Sequence, residues 1–166
     1  MAMRDRSSLR AFVVCLVAGG AALAAATPAF AADPTGEWMV ADHSARIRIE
    51  RCPDGYWGSI AWERQPGTDK NNPDPNKRGR PLLGTPILLA MKPEESNKWQ
   101  GKVYNPKDGG YYDASIQLES HNQLRLQGCM LIFCSGETWT RVPDNVHATT
   151  GAAAAAPPPP SVCPKR

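Results

Sequence analysis

Ala45-Arg46-Ile47-Arg48-Ile49-Glu50 alternates without a break, with Ile47 and Ile49 on one face and Arg46, Arg48 and Glu50 on the other. A period of two marks a β-strand with one face in a core and the other in water. Pro53-Asp54-Gly55 follows as a turn signal, since Pro presets φ and Gly accepts backbone conformations closed to other residues. Tyr56 to Glu63 then reads as the return strand, with Ile60 and Trp62 expected on a shared face. This hairpin decides the fold class, because its pattern recurs on both sides.

Upstream, Trp38 to Val40 reads as a first strand. Downstream, Pro86 to Met91 is a short apolar run suited to a strand buried on both sides. Lys98 to Tyr104 alternates, with Trp99 opposed in phase to Gln100 and Lys102. Asn105-Pro106-Lys107-Asp108-Gly109-Gly110 turns the chain, Asp-Gly supplying the positive φ of a tight hairpin. Tyr111 to Glu119 returns with Tyr112, Ala114, Ile116 and Leu118 on one face, and His121-Asn122 turns again. Leu124 and Leu126 alternate with Arg125 and Gln127, and Glu137 to Val142 closes the series with Trp139 and Arg141 on one face. About eight short, regularly spaced strands and no amphipathic helix predict an all-β, antiparallel up-and-down eight-stranded barrel over residues 35–143. A barrel of that size has an interior that side chains fill, or that holds one small ligand.

The two ends of the chain read differently. Arg4, Arg6 and Arg10, an apolar stretch from Ala11 to Ala26, and Ala29-Phe30-Ala31 form the charged, apolar and cleavage regions of a signal peptide over 1–31. The apolar stretch is short for a membrane span, so the mature chain is expected to carry none. Removing three arginines and Asp5 lowers the formal charge from +3 to +1. A nearly neutral chain has no electrostatic footprint for nucleic acid. Past Pro143 the run of Ala152 to Ala156 and Pro157 to Pro160 predicts a disordered tail over 144–166, since it cannot bury enough apolar surface to offset ordering entropy. Export leaves Cys52, Cys129, Cys134 and Cys163 in an oxidising compartment, periplasmic or secreted. Cys129 and Cys134 are expected to clip a hairpin, whereas Cys163 either reaches Cys52 or stays a free thiol.

The stretch DKNNPDPNKRGRPLLG over residues 69–84 breaks the strand series. Asn71, Asn72 and Asp74 offer oxygens, while Lys77, Arg78 and Arg80 offer cations on a backbone stiffened by Pro73 and Pro75. A loop this long on a small β-domain is either solvated surface, fixed by its own Asp–Arg and Asn–backbone bonds, or a ligand-contacting element.

Gly36-Glu37-Trp38 at the first strand and Trp139-Thr140-Arg141 at the last resemble a lipocalin-type barrel, in which the Trp of a Gly-x-Trp packs beneath a basic residue of the last strand. Asn72-Pro73-Asp74, Arg78-Gly79-Arg80-Pro81-Leu82-Leu83-Gly84, Tyr104-Asn105-Pro106 and Gly128-Cys129 with Cys134 extend the match. Together they resemble the exported bacterial family called domain of unknown function 2147, over Thr35 to Val142. The resemblance implies a small lipocalin-like barrel and no assigned activity. Relatives often carry a second cysteine near the position of Trp57; here Trp57 stands in its place, leaving Cys52 without that partner.

Catalytic signals are poor. No Gly-x-Ser-x-Gly elbow is present, and His43, His121 and His147 lie apart in surface-like contexts. Asp69-Lys70-Asn71-Asn72-Pro73 starts like a calcium loop but has Pro at its fifth position and no Gly at its sixth. Asp42, Asp69, Asp74 and Asp113 have no spacing that demands acid–base pairing. The expectation is therefore a non-enzymatic binder, without cofactor or metal, acting as a monomer or weak dimer on a small amphipathic or anionic molecule. Arg78 and Arg80 would pair an anionic head, Trp62 and Tyr104 would line the wall, and Asn72 and Asp74 would join the ligand-binding residues at the mouth formed by 69–84. An envelope-associated interaction module with a filled barrel and an unrecognised hydrolase are the alternatives.

Overall fold

The computed structural model describes residues 32–130, 133–143 and 162–164. The expected signal peptide over 1–31 lies outside the described residues, as does most of the expected tail. The strands are β1 Gly36–Met39, β2 Ala45–Cys52, β3 Gly55–Glu63, β4 Pro86–Glu95, β5 Lys98–Asn105, β6 Gly110–Ser120, β7 Gln123–Met130 and β8 Phe133–Arg141. Each pairs antiparallel with the next, and β1 pairs with β8, so the sheet closes as an up-and-down barrel without an edge. No α-helix occurs among the described residues; one 3-10 turn, Pro75–Lys77, lies between β3 and β4, capped where the Asp74 carboxylate accepts the Asn76 N–H.

Up-and-down connectivity sorts the connections between two ends. Residues 40–44, 64–85 and 106–109 gather at one end, the mouth, where β7 also stops and β8 starts. The other end, the base, receives the tight turns at 53–54, 96–97 and 121–122 and the close of β8. Large side chains fill the base: Trp38, Tyr56, Met91, Trp99 and Trp139 belong to one buried cluster with Ile47, Ile49, Leu88, Ile116 and Leu124. Tyr56 and Trp99 meet edge to face at 5.6 Å.

Arg141 seals this end. It stands opposite Trp38 across the β1–β8 pair, with its guanidinium 4.1 Å from the indole centroid. The same guanidinium donates to the carbonyls of His121 (2.6 Å), Thr35 (2.6 Å) and Asp33 (3.3 Å), which pins the segment before β1 to the β6–β7 turn. Trp38 Nε1 donates to Pro34 O at 2.8 Å. Gly36 is required here: its φ is +116°, and a Cβ would stand 2.9 Å from Arg141 Nη1.

Among the described residues there are two disulfides, Cys129–Cys134 between directly paired positions of β7 and β8, and Cys52–Cys163. The second decides between the two courses left open for Cys163 in favour of Cys52. Val162 is buried, and its N–H donates to Glu50 Oε2 at 3.3 Å, so residues 162–164 are fastened to β2 at the base. Loop-entropy arithmetic gives about 5 kcal/mol for the Cys52–Cys163 ring against about 2 kcal/mol for the short Cys129–Cys134 ring.

One correction concerns Trp62. Ile47 pairs with Ile60 but Arg46 pairs with Trp62, so Ala61 is an extra residue in β3. The bulge reverses alternation. Ile60 points inward at 5% exposure, whereas Trp62 lies on the outer side at 37%, under Arg46 at 5.0 Å.

Two outcomes are expected from these contacts. Trp38→Ala should lower stability by about 3–5 kcal/mol, as loss of a fully buried indole does; a denaturant midpoint equal to wild type would contradict the sealing role. Peptide mapping of non-reduced protein should recover Cys52 linked to Cys163 and Cys129 linked to Cys134, and a cross-pairing would contradict the topology.

Candidate functional site

Towards the mouth the lumen is not filled. A cavity of about 660 Å³ runs inward to Trp139, bordered by Ile47, Ile60, Ile87, Val103 and Leu126, with Ser44, Tyr112, Ser135 and Glu137 as polar members. The cause is a gradient in side-chain volume. Ala45, Gly128, Ser135 and Gly136 border the upper lumen, where the base has indoles. An adjoining hollow of about 710 Å³ shares Ser44, Ala45, Ile60 and Asn105 and is bounded by Glu63, Arg64, Thr68, Lys70 and Leu82. Both volumes fall in the range of small-molecule sites.

The connection between β3 and β4 forms one side of the mouth and is ordered by its own bonds. Thr68 bridges Pro81, Asp69 N–H donates to Arg80 O at 3.0 Å and Leu82 N–H to Gly67 O at 3.0 Å. Its centre is Asp69, with no exposed surface. Asp69 Oδ1 accepts Tyr104 Oη at 2.5 Å; Oδ2 accepts Asn72 Nδ2 at 2.7 Å and Arg80 Nε and Nη2 at 3.0 and 2.8 Å. Asn72 Nδ2 also reaches Tyr104 Oη at 3.2 Å, and its Oδ1 accepts the Asp74 N–H at 2.9 Å. Arg78 Nε donates to Asn72 O at 2.9 Å. Asn71 Nδ2 ties the loop to the β5–β6 turn at Lys107 O, 2.8 Å away. Gly109 permits this approach, for a Cβ there would fall 1.9 Å from Asn71 O.

These bonds reassign the expected head-group residues. Arg80 neutralises Asp69, Arg78 holds the backbone at Asn72, Asn72 sits inside the network at 1% exposure, and Asp74 caps the 3-10 turn and pairs with Lys77 at 3.4 Å. Arg78, Arg80, Asn72 and Asp74 border neither hollow, and neither does Trp62, for the bulge turns it outward. Tyr104 borders the cavity rim, but it shares a strand face with exposed Gln100 and Lys102; the loop covers it and takes its hydroxyl.

Two carboxylates escape the sequence reading. The bulge that expels Trp62 brings Glu63 opposite Ala45 at the mouth, where burial raises its pKa against the opposing N–H groups of Gly67 and Leu83. No pattern in the residues announces that reversal. For Glu137 a signal existed, unread: it lies two residues from Trp139 on one strand and therefore shares its face.

The closed eight-stranded up-and-down barrel, sealed at one end and open at the other, defines a lipocalin-type architecture. The chain belongs to domain of unknown function 2147, described as an uncharacterized protein conserved in bacteria, whose family model matches residues 36–141. Among solved structures it is similar to a protein of the human pathogen Helicobacter pylori described as belonging to the lipocalin family. The TM-score is 0.64 at 18% identity, over 70% of this chain and 88% of that one. No curated protein matches the chain.

The Asp69 network carries a pH signature at both extremes. Burial opposes ionisation of Asp69, but the bonds from Tyr104, Asn72 and Arg80 and the charge of Arg80 outweigh it and hold the carboxyl below its ordinary range. Burial, then the bond to Asp69 and its charge, push the Tyr104 phenol up to about 12. Asp69 therefore contributes stability that is complete above its unfolded value near pH 4 and lost as pH falls through its folded value. Tyr104 contributes stability that is complete below about pH 10 and lost as pH rises towards 12. Tyr104→Phe should cost about 1.5–3 kcal/mol at neutral pH, as loss of a bond to a charged group does, and should flatten the alkaline limb. Urea unfolding across pH reads both effects, and an alkaline limb as steep as wild type would count against the network.

Proposed function

We propose that this protein is an exported, non-enzymatic carrier or sensor barrel, periplasmic or secreted, that takes a small amphipathic molecule into its lumen through the mouth. The observation that carries the reading is the 660 Å³ cavity, apolar along its walls and polar at its rim, above a base sealed by Trp38 and Arg141. The lipocalin-type architecture and the two disulfides support it. The 64–85 connection shapes the mouth, and the contacts to the ligand come from β2, β3, β5 and β7 through Ile47, Ile60, Val103 and Leu126. An interaction module would be favoured by a filled barrel and one broad aromatic patch; the large exposed apolar residues here are Trp62, Leu83 and Tyr111, and the upper lumen is open.

Ala45 lies at the junction of both hollows and pairs with Glu63 on the inner side. Ala45→Trp should plug the mouth. Native mass spectrometry of wild-type protein purified from its own periplasm should show a small-molecule adduct that Ala45→Trp lacks at an unchanged melting midpoint. Equal adducts in both proteins, or none in wild type, would remove the lumen as the site.

A further inference from the structure

We infer that the lumen selects amphipathic molecules whose polar end is a cation with N–H donors, a protonated amine, and that Glu137 receives it. This rests on the lumen being the binding site, and it names the ligand class that site would take.

The register places Glu137 inside. Leu124 pairs with Trp139, Leu126 with Glu137 and Gly128 with Ser135, and Trp139 is 2% exposed. Glu137 Oε1 accepts the Trp139 indole N–H at 2.5 Å, which orients the carboxylate. Among the described residues, no donor bonds to Oε2 and no Lys or Arg pairs with Glu137. Its register partner on the wall, Leu126, is apolar, and Ser135 stands two residues away on the same strand.

The other charges bordering the cavity are already matched. Asp108 accepts Asn105 Nδ2, Tyr112 Oη and the Gly110 N–H. Asp42 accepts the Ser44 N–H and lies 3.9 Å from Lys107 Nζ. The cavity is thus bordered by three carboxylates, Asp42, Asp108 and Glu137, and one ammonium, Lys107, which is 85% exposed at the rim. The two arginines expected to attract an anion are held in the loop network. A carboxylate on an apolar wall is disfavoured unless a cation or donors meet it. A ligand ammonium supplies both, through charge-assisted N–H bonds to Oε2. An anionic end would meet repulsion at the same place.

Three probes that share a ring and chain separate charge from shape: 4-phenylbutylamine, 4-phenylbutanol and 4-phenylbutyrate. Each is titrated at neutral pH into the intact, disulfide-bonded protein by calorimetry, with the Trp139 indole N–H followed by NMR. The amine should bind at least about ten-fold tighter than the alcohol and shift the indole signal, with the carboxylate weakest. Glu137→Gln still accepts the Trp139 bond but lacks the charge; amine and alcohol should then bind within about two-fold of each other. An amine no tighter than the alcohol in wild type, or a preference that survives in Glu137→Gln, would overturn the inference while leaving the lumen as a binding site. Absence of binding by all three would overturn both. Should Glu137→Gln lose its melting midpoint, the wild-type ranking and the indole shift decide by themselves.

Discussion

Everything else in this barrel depends on closing β1 against β8, and that closure rests on Arg141 over Trp38. The paired register between these strands is short, two positions, so backbone bonding alone holds it weakly. Arg141 adds a cation–π contact and three carbonyl bonds that reach the leading segment and the β6–β7 turn. One side chain thereby joins the beginning, the middle and the end of the barrel. The Cys52–Cys163 bridge adds a covalent tie at the same end. With the buried cluster concentrated at the base, the mouth carries small residues and a lumen that side chains do not fill.

The long connection solves a different problem. A barrel strand carries one face to water, yet β5 places Tyr104 on that face and buries it to 1% exposure. The loop covers it by bringing down Asp69, itself fully buried. A lone carboxylate in that position would be strongly disfavoured. Arg80, Asn72 and Tyr104 satisfy both oxygens, so the network is complete and locks the loop against the wall. Stiff Pro–Asp–Pro backbone suits this task, since fewer conformations are lost when the loop docks.

Much of this was legible in the residues, and what was not has a physical cause. Strict alternation in ARIRIE and around Trp99, with Asp-Gly at the β5–β6 turn, announced strands and their pairing. The Gly-x-Trp and Trp-x-Arg segments announced the base. The loop was recognised as polar and special, but its composition is the same whether its cations face a ligand or its own acid; only the fold brings Arg80 to Asp69 across eleven residues. Trp62 and Glu63 were exchanged between faces by one extra residue at Ala61, and β-bulges leave no reliable mark in a strand pattern. The partner of Cys163 stayed open between Cys52 and none, because composition is read locally and a crosslink is not.

The division of charge follows from these same constraints. Lys77, Arg78 and Arg80 make the loop strongly basic in sequence. Folding spends that charge on Asp74, the Asn72 carbonyl and Asp69, outside the cavity wall. Coulomb interactions among those neighbours are screened by solvent on the exposed side, while two other cations of the connection, Arg64 and Lys70, border the adjoining hollow. The cavity itself is bordered by Asp42, Asp108 and Glu137 and by one ammonium, Lys107, so the three cations that draw attention in the sequence are not the charges that line it.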